Sequence, residues 1–401
     1  MPGGAKGLIQ CINTKTCLQS IIQAPASNNK YFCYRYNMEK LRFIANHLPQ
    51  FHPFKENDEW WGKGFTEWTN VAKAKQYFKG HYQPHLPTDL GYYDLRLSES
   101  RAAQAELAKQ YGIDGFSYYH YWFHGKRLMN KPVDDIIKSK EPDFPFLLFW
   151  ANETWSRRWL GEDKEILIKQ TYSEQDDYAH AEYLTEVFTD HRYILYNGRP
   201  VFIIYKPVEI PDVSRTIDII KEGCVKRNAV EPFIVASNAH TIKHDELIRK
   251  GFDSVFNFRP QLGCLPQAMD DEFSKERLKR NITKHQVFNG ITKIYSYSEA
   301  VKAMANVEPA TYENLIPCVL VGFDNSPRRG ENGIILKDSS PESFKKEFIR
   351  VIEKLKNSPG NNEMIFINAW NEWAEGNHLE PDKKYGSAHL EVVKQMAEMY
   401  K

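Results

Sequence analysis

Short apolar runs recur along the chain from residue 42 onward, and polar, helix-forming stretches separate them. Each run is nearly continuous in aliphatic and aromatic residues, which is typical of strands that are buried on both faces of a parallel sheet. Eight runs have this character: residues 42–48, 115–121, 144–151, 201–205, 233–238, 254–258, 316–323 and 364–370. The pattern therefore predicts eight parallel strands.

Four of the intervening stretches have helical periodicity, at residues 98–112, 173–188, 214–227 and 340–357. Several begin with Ser followed by acidic residues, which favours a helix N-terminus. Strands that alternate with helices predict an α/β fold, a (β/α)8 TIM barrel in one domain with long βα loops. An open doubly wound sheet is the alternative. Neither GxGxxG nor GxxxxGK[ST] follows any predicted strand, which disfavours its nucleotide-binding version.

Residues 1–37 differ from the rest of the chain, because their weakly apolar segment is broken by Asn, Thr, Lys and Gln. They lack the apolar core and the cleavage site of a signal peptide. We interpret 1–37 as an atypical, poorly ordered N-terminal extension, with Met38 resembling a natural start, and 38–401 as the catalytic barrel domain.

Composition narrows the functional classes. The chain is 42% hydrophobic and 26% charged, which is typical of a globular protein. A net charge of +1 gives no general attraction to nucleic acid, and no apolar run is long enough for a transmembrane segment. The six cysteines are scattered without a CxxC pair, which favours free thiols in the cytoplasm over a secreted disulfide framework. No cofactor is indicated.

Polar residues follow the predicted strands at their C-terminal ends. In a barrel these ends meet on one face, where active sites are built. The residues at these positions are His47, Gln50, Tyr119, His120, Asn152, Glu153, Lys206, Asn238, Asn257, Arg259, Asp324, Asn325, Asn371, Glu372 and Glu375. One such group is easily structural, but eight strands that all end in this way predict a functional face.

Aromatic residues make up 13% of the chain and add to this picture. All nine Trp lie at a predicted strand end or in the loop that follows one, and none lies in a predicted covering helix. Residues 53–94 form an aromatic segment much longer than an ordinary βα loop, and loops of that length usually have a function. We expect a cleft lined by rings, with 53–94 as its wall or lid.

Aromatic faces together with short polar groups suit a sugar, and cleavage of a glycosidic bond requires two carboxyl groups. Glu372 and Glu375 are the candidate pair, because they flank Trp373 directly after the last predicted strand. Their mutual repulsion and the apolar surroundings are expected to raise the pKa of one of them. We predict substrate contacts from His47, Gln50, Trp68, Tyr119, His120, Trp122, Asn152, Glu153, Lys206, Asn238, Arg259, Asp324, Asn371 and Trp373.

The segment "FINAWNEWAEGNHLEPD" resembles the terminal catalytic motif of glycoside hydrolase family 99, which contains endo-α-mannosidases. It is closer still to relatives of the WbsX type, which occur in bacterial surface-polysaccharide gene clusters and are often labelled glycosyltransferases. "NHLPQFHPFKENDEWWGKGFTEWTNV", "GIDGFSYYHYWF" and "LLFWANETW" resemble the same pattern. The resemblance covers roughly residues 40–400.

The resemblance implies a role for three residues. Glu375 would be the general acid/base, and Glu372 would be the base on the sugar 2-hydroxyl, giving a 1,2-anhydro sugar and overall retention. Glu67 would be a ligand of a sugar hydroxyl. The chain departs from the hydrolases at Ala374 and at "GNHLEP", so the resemblance does not carry over mannose specificity.

Three other functions remain open. A glycosyltransferase of lipopolysaccharide, O-antigen or capsule synthesis would need a site for a donor phosphate, and Arg157, Arg158, Lys206 and Arg259 could supply it. A metal-dependent hydrolase could use the His pairs in "HYQPH" and "HYWFH", although neither stretch has the HExxH pattern of a zinc helix. The third alternative is a catalytically inert lectin.

Overall fold

The computed structural model describes residues 41–157, 162–239, 242–268, 293–359 and 363–401. Residues 38–401 form one compact unit. Its main sheet consists of parallel segments that we number β1 to β9. They are Arg42–His47 (β1), Gly115–Phe123 (β2), Phe146–Trp150 (β3), Arg199–Ile204 (β4), Phe233–Ser237 (β5), Ser254–Phe256 (β6), Leu315–Ile316 (β7), Cys318–Leu320 (β8) and Met364–Asn368 (β9).

The sheet closes on itself through Pro317. The strand order is β7-β6-β5-β4-β3-β2-β1-β9-β8, so β7 and β8 stand at the two ends of the order. They are consecutive in sequence and separated only by Pro317, whose carbonyl accepts a hydrogen bond from Phe366 N at 3.0 Å. Counted as one interrupted strand, β7 and β8 make this an eight-stranded barrel, and the predicted fold is confirmed.

Helices surround the barrel and also occur in its loops. They are Lys55–Trp61 (α1), Glu67–Ala72 (α2), Ser98–Gln110 (α3), Lys131–Ser139 (α4), Glu174–Phe188 (α5), Val213–Lys226 (α6), His244–Arg249 (α7), Tyr297–Asn306 (α8), Ser326–Arg329 (α9), Pro341–Lys356 (α10) and Ala388–Tyr400 (α11). Short antiparallel strands pair Trp155–Arg157 with Glu162–Ile168, and Asn371–Glu372 with Asn377–His378. Within the described residues, no helix is both long and apolar enough to cross a membrane.

Local sequence explains where these helices begin and how closely they pack. Ser173 accepts a hydrogen bond from Asp176 N at the start of α5, and Ser340 forms a capping box with Ser343 at the start of α10. The helices α5 and α6 approach closely at Gly223, where a Cβ atom would lie 2.7 Å from the Cβ of Ala181. Position 223 therefore requires a glycine, because a larger side chain would collide with Ala181.

Aromatic rings fill the interior of the barrel. Phe149 on β3 contacts the rings of Tyr119, Phe256 and Phe258, with centroids 5.2–5.9 Å apart. Phe256 in turn packs against Phe366 on β9 at 4.6 Å. Inward-pointing side chains from neighbouring strands thus form a packed core, which closes the barrel beneath its C-terminal face.

The predicted strands and the four predicted helices correspond closely to observed elements. Residues 173–188, for example, become α5 with Ser173 as its N-cap, and residues 340–357 become α10 with Ser340 as its N-cap. The N-terminal segment 1–37 lies outside the described residues, so its interpretation stays a prediction.

Candidate active site

One guanidinium group gathers three carboxylates at the C-terminal face of the barrel. Arg328 on α9 donates from Nε to Glu67 at 2.6 Å, from Nη1 to Glu375 at 2.5 Å and from Nη2 to Glu372 at 2.7 Å. Glu67 begins α2 within the long segment after β1, whereas the other two acids follow β9. The structure therefore brings together three carboxylates from two distant parts of the chain.

This cluster is buried and acidic. The side chains of Glu67, Glu372 and Arg328 are 0%, 8% and 8% exposed, whereas Glu375 is 24% exposed. The pKa of Glu372 is raised to about 8, chiefly by burial and also by the charges of Glu375 and Glu67, against the opposing charge of Arg328. Burial also raises the pKa of Glu375, against the effect of Arg328. The resting site therefore retains a proton near neutral pH.

The Glu pair lies on a short, firmly held loop. Residues 373–375 form a single 3₁₀ turn, which ends at Gly376 with φ of 55°. Asp324 N donates to the carbonyl of Glu375 at 2.5 Å, and the Asn371 side chain bonds to both backbone groups of Leu48 at 2.7 and 3.0 Å. These bonds fix the loop to the ends of β8 and β1.

Trp373 separates the two acids, and its indole is held on several sides. Its Nε1 donates to Glu380 at 2.5 Å, and its ring stacks on His378 with centroids 3.7 Å apart. Trp68, next to Glu67, packs against it at 5.5 Å. The buried Glu380 also accepts from Tyr93 at 2.9 Å and from Gln104 at 2.7 Å, and burial raises its pKa to about 7.

Asp324 connects this loop to the helix that carries Arg328. Its Oδ2 accepts from His81 Nε2 at 2.6 Å and from Gln83 at 2.7 Å, while its Oδ1 accepts from Ser326 N at 2.9 Å. Ser326 is the first residue of α9, so Asp324 fixes the start of the helix whose third residue is Arg328. The Asp324 side chain therefore helps to position Arg328 beside the three carboxylates.

Two tyrosines of β2 face the Glu pair. Burial raises the pKa values of Tyr119 and Tyr121, and the charge of Glu372 adds to the effect on both. Tyr121 also packs against Trp155 at 5.3 Å, which in turn packs against Trp60 at 5.8 Å. These rings provide an aromatic surface beside the carboxylates.

Other predicted residues of β1 and β2 face the helices. His47 Nε2 pairs with Gln104 on α3 at 3.1 Å, and His120 Nε2 pairs with His180 on α5 at 3.0 Å. Trp122 donates to Asp176 on α5 at 2.9 Å. Successive side chains of a strand point in opposite directions, so His120 and Trp122 lie on the opposite face of β2 from Tyr119 and Tyr121.

Three more predicted residues are engaged in internal bonds. Asn152 bonds to both backbone groups of Lys206 at 2.7 and 3.0 Å, and Asn238 does the same to Ile242 at 2.9 and 2.8 Å. Arg259 is fully buried and paired with two acids, Glu308 and Glu347. The structure does not bring these three side chains to the carboxylate cluster.

The remaining predicted residues, Glu153, Lys206 and Gln50, interact with residues of the carboxylate cluster or with each other. Lys206 is paired with Glu153 at 3.0 Å and with Glu209 at 2.9 Å, and the charge of Glu153 contributes to the raised pKa of Glu375. Gln50 is buried, and its carbonyl accepts a hydrogen bond from Glu67 N at 3.0 Å. Gln50 thus connects the end of β1 to the start of α2.

The tryptophans divide between core and cleft. Trp122 and Trp150 pack against His180 on α5, and the fully buried Trp370 packs against Phe116 at 5.0 Å. These rings belong to the core, in contrast to the expected lining of a cleft. Trp159 lies outside the described residues.

Sequence reasoning missed Arg328, Tyr121 and Glu380. Tyr121 could have been found, because it lies two residues after Tyr119 on the same strand and therefore on the same face. Arg328 gave a weaker signal, a basic residue four positions beyond Asp324 at a strand end. Glu380 gave none, since its partners Tyr93 and Gln104 are 287 and 276 residues away in the sequence.

Solved structures with a similar fold include glycoside hydrolases. The GH99 endo-α-mannosidase from Bacteroides thetaiotaomicron has a TM-score of 0.55 at 13% identity, over 90% of this chain and 97% of that one. Its complex with Bis-Tris propane gives a TM-score of 0.54, with the same identity and coverage, and a glycoside hydrolase-like protein gives 0.53. At this identity the likeness concerns the fold alone.

Family membership follows from the sequence comparison. Residues 43–393 match the family described as Glycosyltransferase WbsX. The chain therefore belongs to the WbsX glycosyltransferase family.

The chain is also similar to the uncharacterized protein WxcX of Xanthomonas campestris pv. campestris, strains B100 and ATCC 33913. It is 36% identical to each over 353 residues, which are 88% of this chain. It spans about half the length (49%) of these curated relatives.

Proposed function

We propose that this chain acts on α-linked glycosidic bonds of an oligosaccharide or polysaccharide, with Glu372 and Glu375 as its paired carboxyl groups. The observation that carries the proposal is their attachment to a single buried guanidinium, that of Arg328. A third acid, Glu67, shares that cation, so the pair holds a proton near neutral pH. Glycosidic cleavage requires both a protonated and an ionised carboxyl group.

In the proposed mechanism, Glu372 removes the proton of the sugar 2-hydroxyl, and that oxygen attacks the anomeric carbon. The bond to the leaving oxygen breaks as Glu375 protonates it, which gives a 1,2-anhydro sugar. Water or an acceptor hydroxyl then opens the ring while Glu375 takes its proton and Glu372 returns one to the 2-oxygen. Two inversions at the same carbon give net retention.

The different exposure of the two acids supports these roles. Glu375 has the more exposed side chain, as expected of a group that must reach a leaving oxygen and then an incoming hydroxyl. Glu372 is more deeply buried, and a carboxylate whose pKa is raised to about 8 is a stronger base than an ordinary one. When the substrate is bound, the proton that the two acids share must lie on Glu375.

The alternative is a glycosyltransferase of surface-polysaccharide synthesis, which the description of the family favours. Such an enzyme needs cations for the donor phosphates. Of the four cations predicted for that role, the described side chains include Lys206 and Arg259, and each is held by two carboxylates. Arg158 and the side chain of Arg157 lie outside the described residues. The charges of the two described side chains therefore favour a donor without a diphosphate.

The test is a screen of α-linked oligosaccharides with the product anomers followed by NMR. We expect turnover with retention, and a loss of about 10²–10⁴-fold in kcat for Glu372→Gln and Glu375→Gln. Glu398→Gln, an exposed change on α11, is the matched control and should retain activity.

Two outcomes would contradict the proposal. Consumption of a nucleotide sugar without hydrolysis or transfer from any α-linked glycan would favour the glycosyltransferase. Sugar binding with no turnover, or turnover unchanged in both variants, would favour a lectin or a different set of catalytic groups.

A further inference from the structure

Two histidines and an aspartate form a cluster that has no role in the proposed mechanism. The candidate ligand atoms of His85, His378 and Asp382 all lie within 4.8 Å of one another. His85 Nδ1 is 2.8 Å from His378 Nε2, and Asp382 Oδ2 is 3.7 Å from the same nitrogen. The other histidine predicted with His85, His81, is bound to Asp324 instead.

Hydrogen bonds orient two of these side chains toward each other. His378 Nδ1 lies 2.9 Å from the carbonyl of Glu380, so this nitrogen carries the proton, and the lone pair of Nε2 accepts from His85 Nδ1. Asp382 Oδ1 accepts from the backbone N–H groups of Lys384 and Tyr385 at 2.8 and 2.6 Å, which directs Oδ2 toward His378. Ligands of bound metals are typically oriented in this way.

The cluster borders a cavity of about 370 Å³. His389 also lines this cavity, and among the described residues its buried Nε2 has no hydrogen-bond partner. An unpaired buried imidazole nitrogen costs free energy, unless a ligand in the cavity binds it directly or through water.

We propose that His85, His378 and Asp382 bind a divalent transition-metal ion such as Zn²⁺, with a fourth position open to the cavity. Two imidazole nitrogens and one carboxylate oxygen are a common donor set for zinc. The separation of 2.8 Å between the two nitrogens would open by roughly 0.5 Å to allow Zn–N bonds of about 2.0–2.1 Å. On binding, His85 moves its Nδ1 proton to Nε2, so that the Nδ1 lone pair can bind the ion.

The ion would connect two parts of the site. His85 belongs to the long segment after β1, which also carries Glu67, whereas His378 and Asp382 follow the Glu pair. His378 stacks directly on Trp373, between the two acids. Metal binding would therefore fasten the wall of the cleft to the loop that holds the proposed catalytic carboxyls.

The test uses the full chain, freed of metal with a chelator, and Zn²⁺ alone as the probe. We expect calorimetry to show a 1:1 binding event that weakens by more than about tenfold in His85→Ala and in Asp382→Asn. His191→Gln removes an exposed histidine and is the matched control, in which binding should be unchanged. Zinc should also raise the melting temperature of the wild type but not of the two variants.

Substitution by Co²⁺ gives a second readout that does not depend on activity. An intense visible absorption band would indicate four-coordinate binding, and the band should disappear in His85→Ala. The proposal is overturned if zinc does not bind, or if binding and the cobalt band persist in both His85→Ala and Asp382→Asn. Because none of these measurements uses a sugar substrate, they are independent of the proposed glycosidic activity.

Discussion

At the scale of single residues, Glu372 and its neighbours form an electrostatically unbalanced cluster. Three carboxylates share the charge of Arg328, and all four groups are largely buried. Among these four described side chains, ionising every acid would leave a net charge of minus two in a poorly solvated place, so keeping one proton costs less free energy. The same imbalance gives this site both an acid and a base at neutral pH.

The pH dependence of kcat/KM should report this shared proton. The proposed mechanism requires one proton on the Glu372/Glu375 pair, and burial is the main cause that raises the pKa of Glu372 to about 8. We therefore expect a bell-shaped profile whose alkaline limb falls near pH 8, where the proton is lost, and whose acid limb falls where the second carboxyl is protonated. Activity that keeps rising above pH 9 would contradict the assignment.

The pH dependence of the free energy of unfolding should report the same proton. The pKa of Glu372 is higher in the folded chain than the unperturbed value of 4.5, so its protonated form contributes stability that is lost as the pH rises from 4.5 through about 8. Glu372→Gln removes this loss. Relative to wild type, the free energy of unfolding of the variant should increase by on the order of 2–4 kcal/mol between pH 5 and pH 9.

Chemical denaturation at both pH values measures this difference. Glu398→Gln is the matched control, because that exposed carboxyl should show no such change between the two pH values. An equal effect of Glu372→Gln at pH 5 and pH 9 would show that the Glu372 carboxyl is ionised throughout.

At the scale of elements, the loop after β9 depends on one backbone conformation. Gly376 has φ of 55°, in the left-handed region, directly after Glu375. A Cβ atom there would also lie 3.1 Å from the Cβ of Asp324. Glycine is therefore favoured by its backbone freedom and by the close approach of Asp324, which itself holds the start of α9.

Gly376→Ala should displace Glu375 while the barrel stays folded. We expect a loss of about 1–2 kcal/mol in stability from the left-handed conformation. A larger effect should appear in kcat, at least tenfold, because small displacements of a proposed catalytic group are costly.

Gly125→Ala is the matched control. Gly125 also has positive φ, at 81°, but a Cβ atom there would meet nothing within 4 Å. Both variants should lose similar stability, and only Gly376→Ala should lose activity strongly. Equal activity of the two variants would show that the contact with Asp324 does not position Glu375.

At the scale of the whole molecule, there is a second buried ion cluster, separate from the one around Arg328. It joins the end of a strand, a loop and a helix. Arg259 follows β6 and pairs with Glu308 and Glu347. Arg350 and Lys354 on α10 also bind Glu308, at 3.2 and 3.1 Å. Burial raises the pKa of Glu308, but these cations outweigh it and lower the pKa to about 2.

Acid stability of the fold should depend on this cluster. The folded pKa of Glu308 lies below the unperturbed value of 4.5, so its contribution is complete above pH 4.5 and is lost as the pH falls through about 2. We expect Glu308→Gln to cost about 3–5 kcal/mol at pH 7 and much less at pH 3.

Urea denaturation at the two pH values would measure this. Glu353→Gln, an exposed change on α10, is the matched control and should cost little at either pH. A constant cost for Glu308→Gln from pH 7 to pH 3 would show that folding does not lower the pKa of Glu308.

The sequence by itself determined the elements of this protein and the position of its two candidate acids. Apolar runs, helix caps such as Ser173 and Ser340, and the acids after the last strand depend on neighbouring residues, so the chain displays them directly. The alternation along β2 was also available, and it separates Tyr119 and Tyr121 from His120 and Trp122.

Only the tertiary structure decided which groups meet. Arg328 and Glu67 are 261 residues apart, and His85 and His378 are 293 apart. Such contacts depend on the closure of the barrel at Pro317 and on the path of the long segment after β1, and no local pattern encodes either. The charge balance that sets the pKa of Glu372 is a property of that assembled cluster, so it arises only in the folded chain.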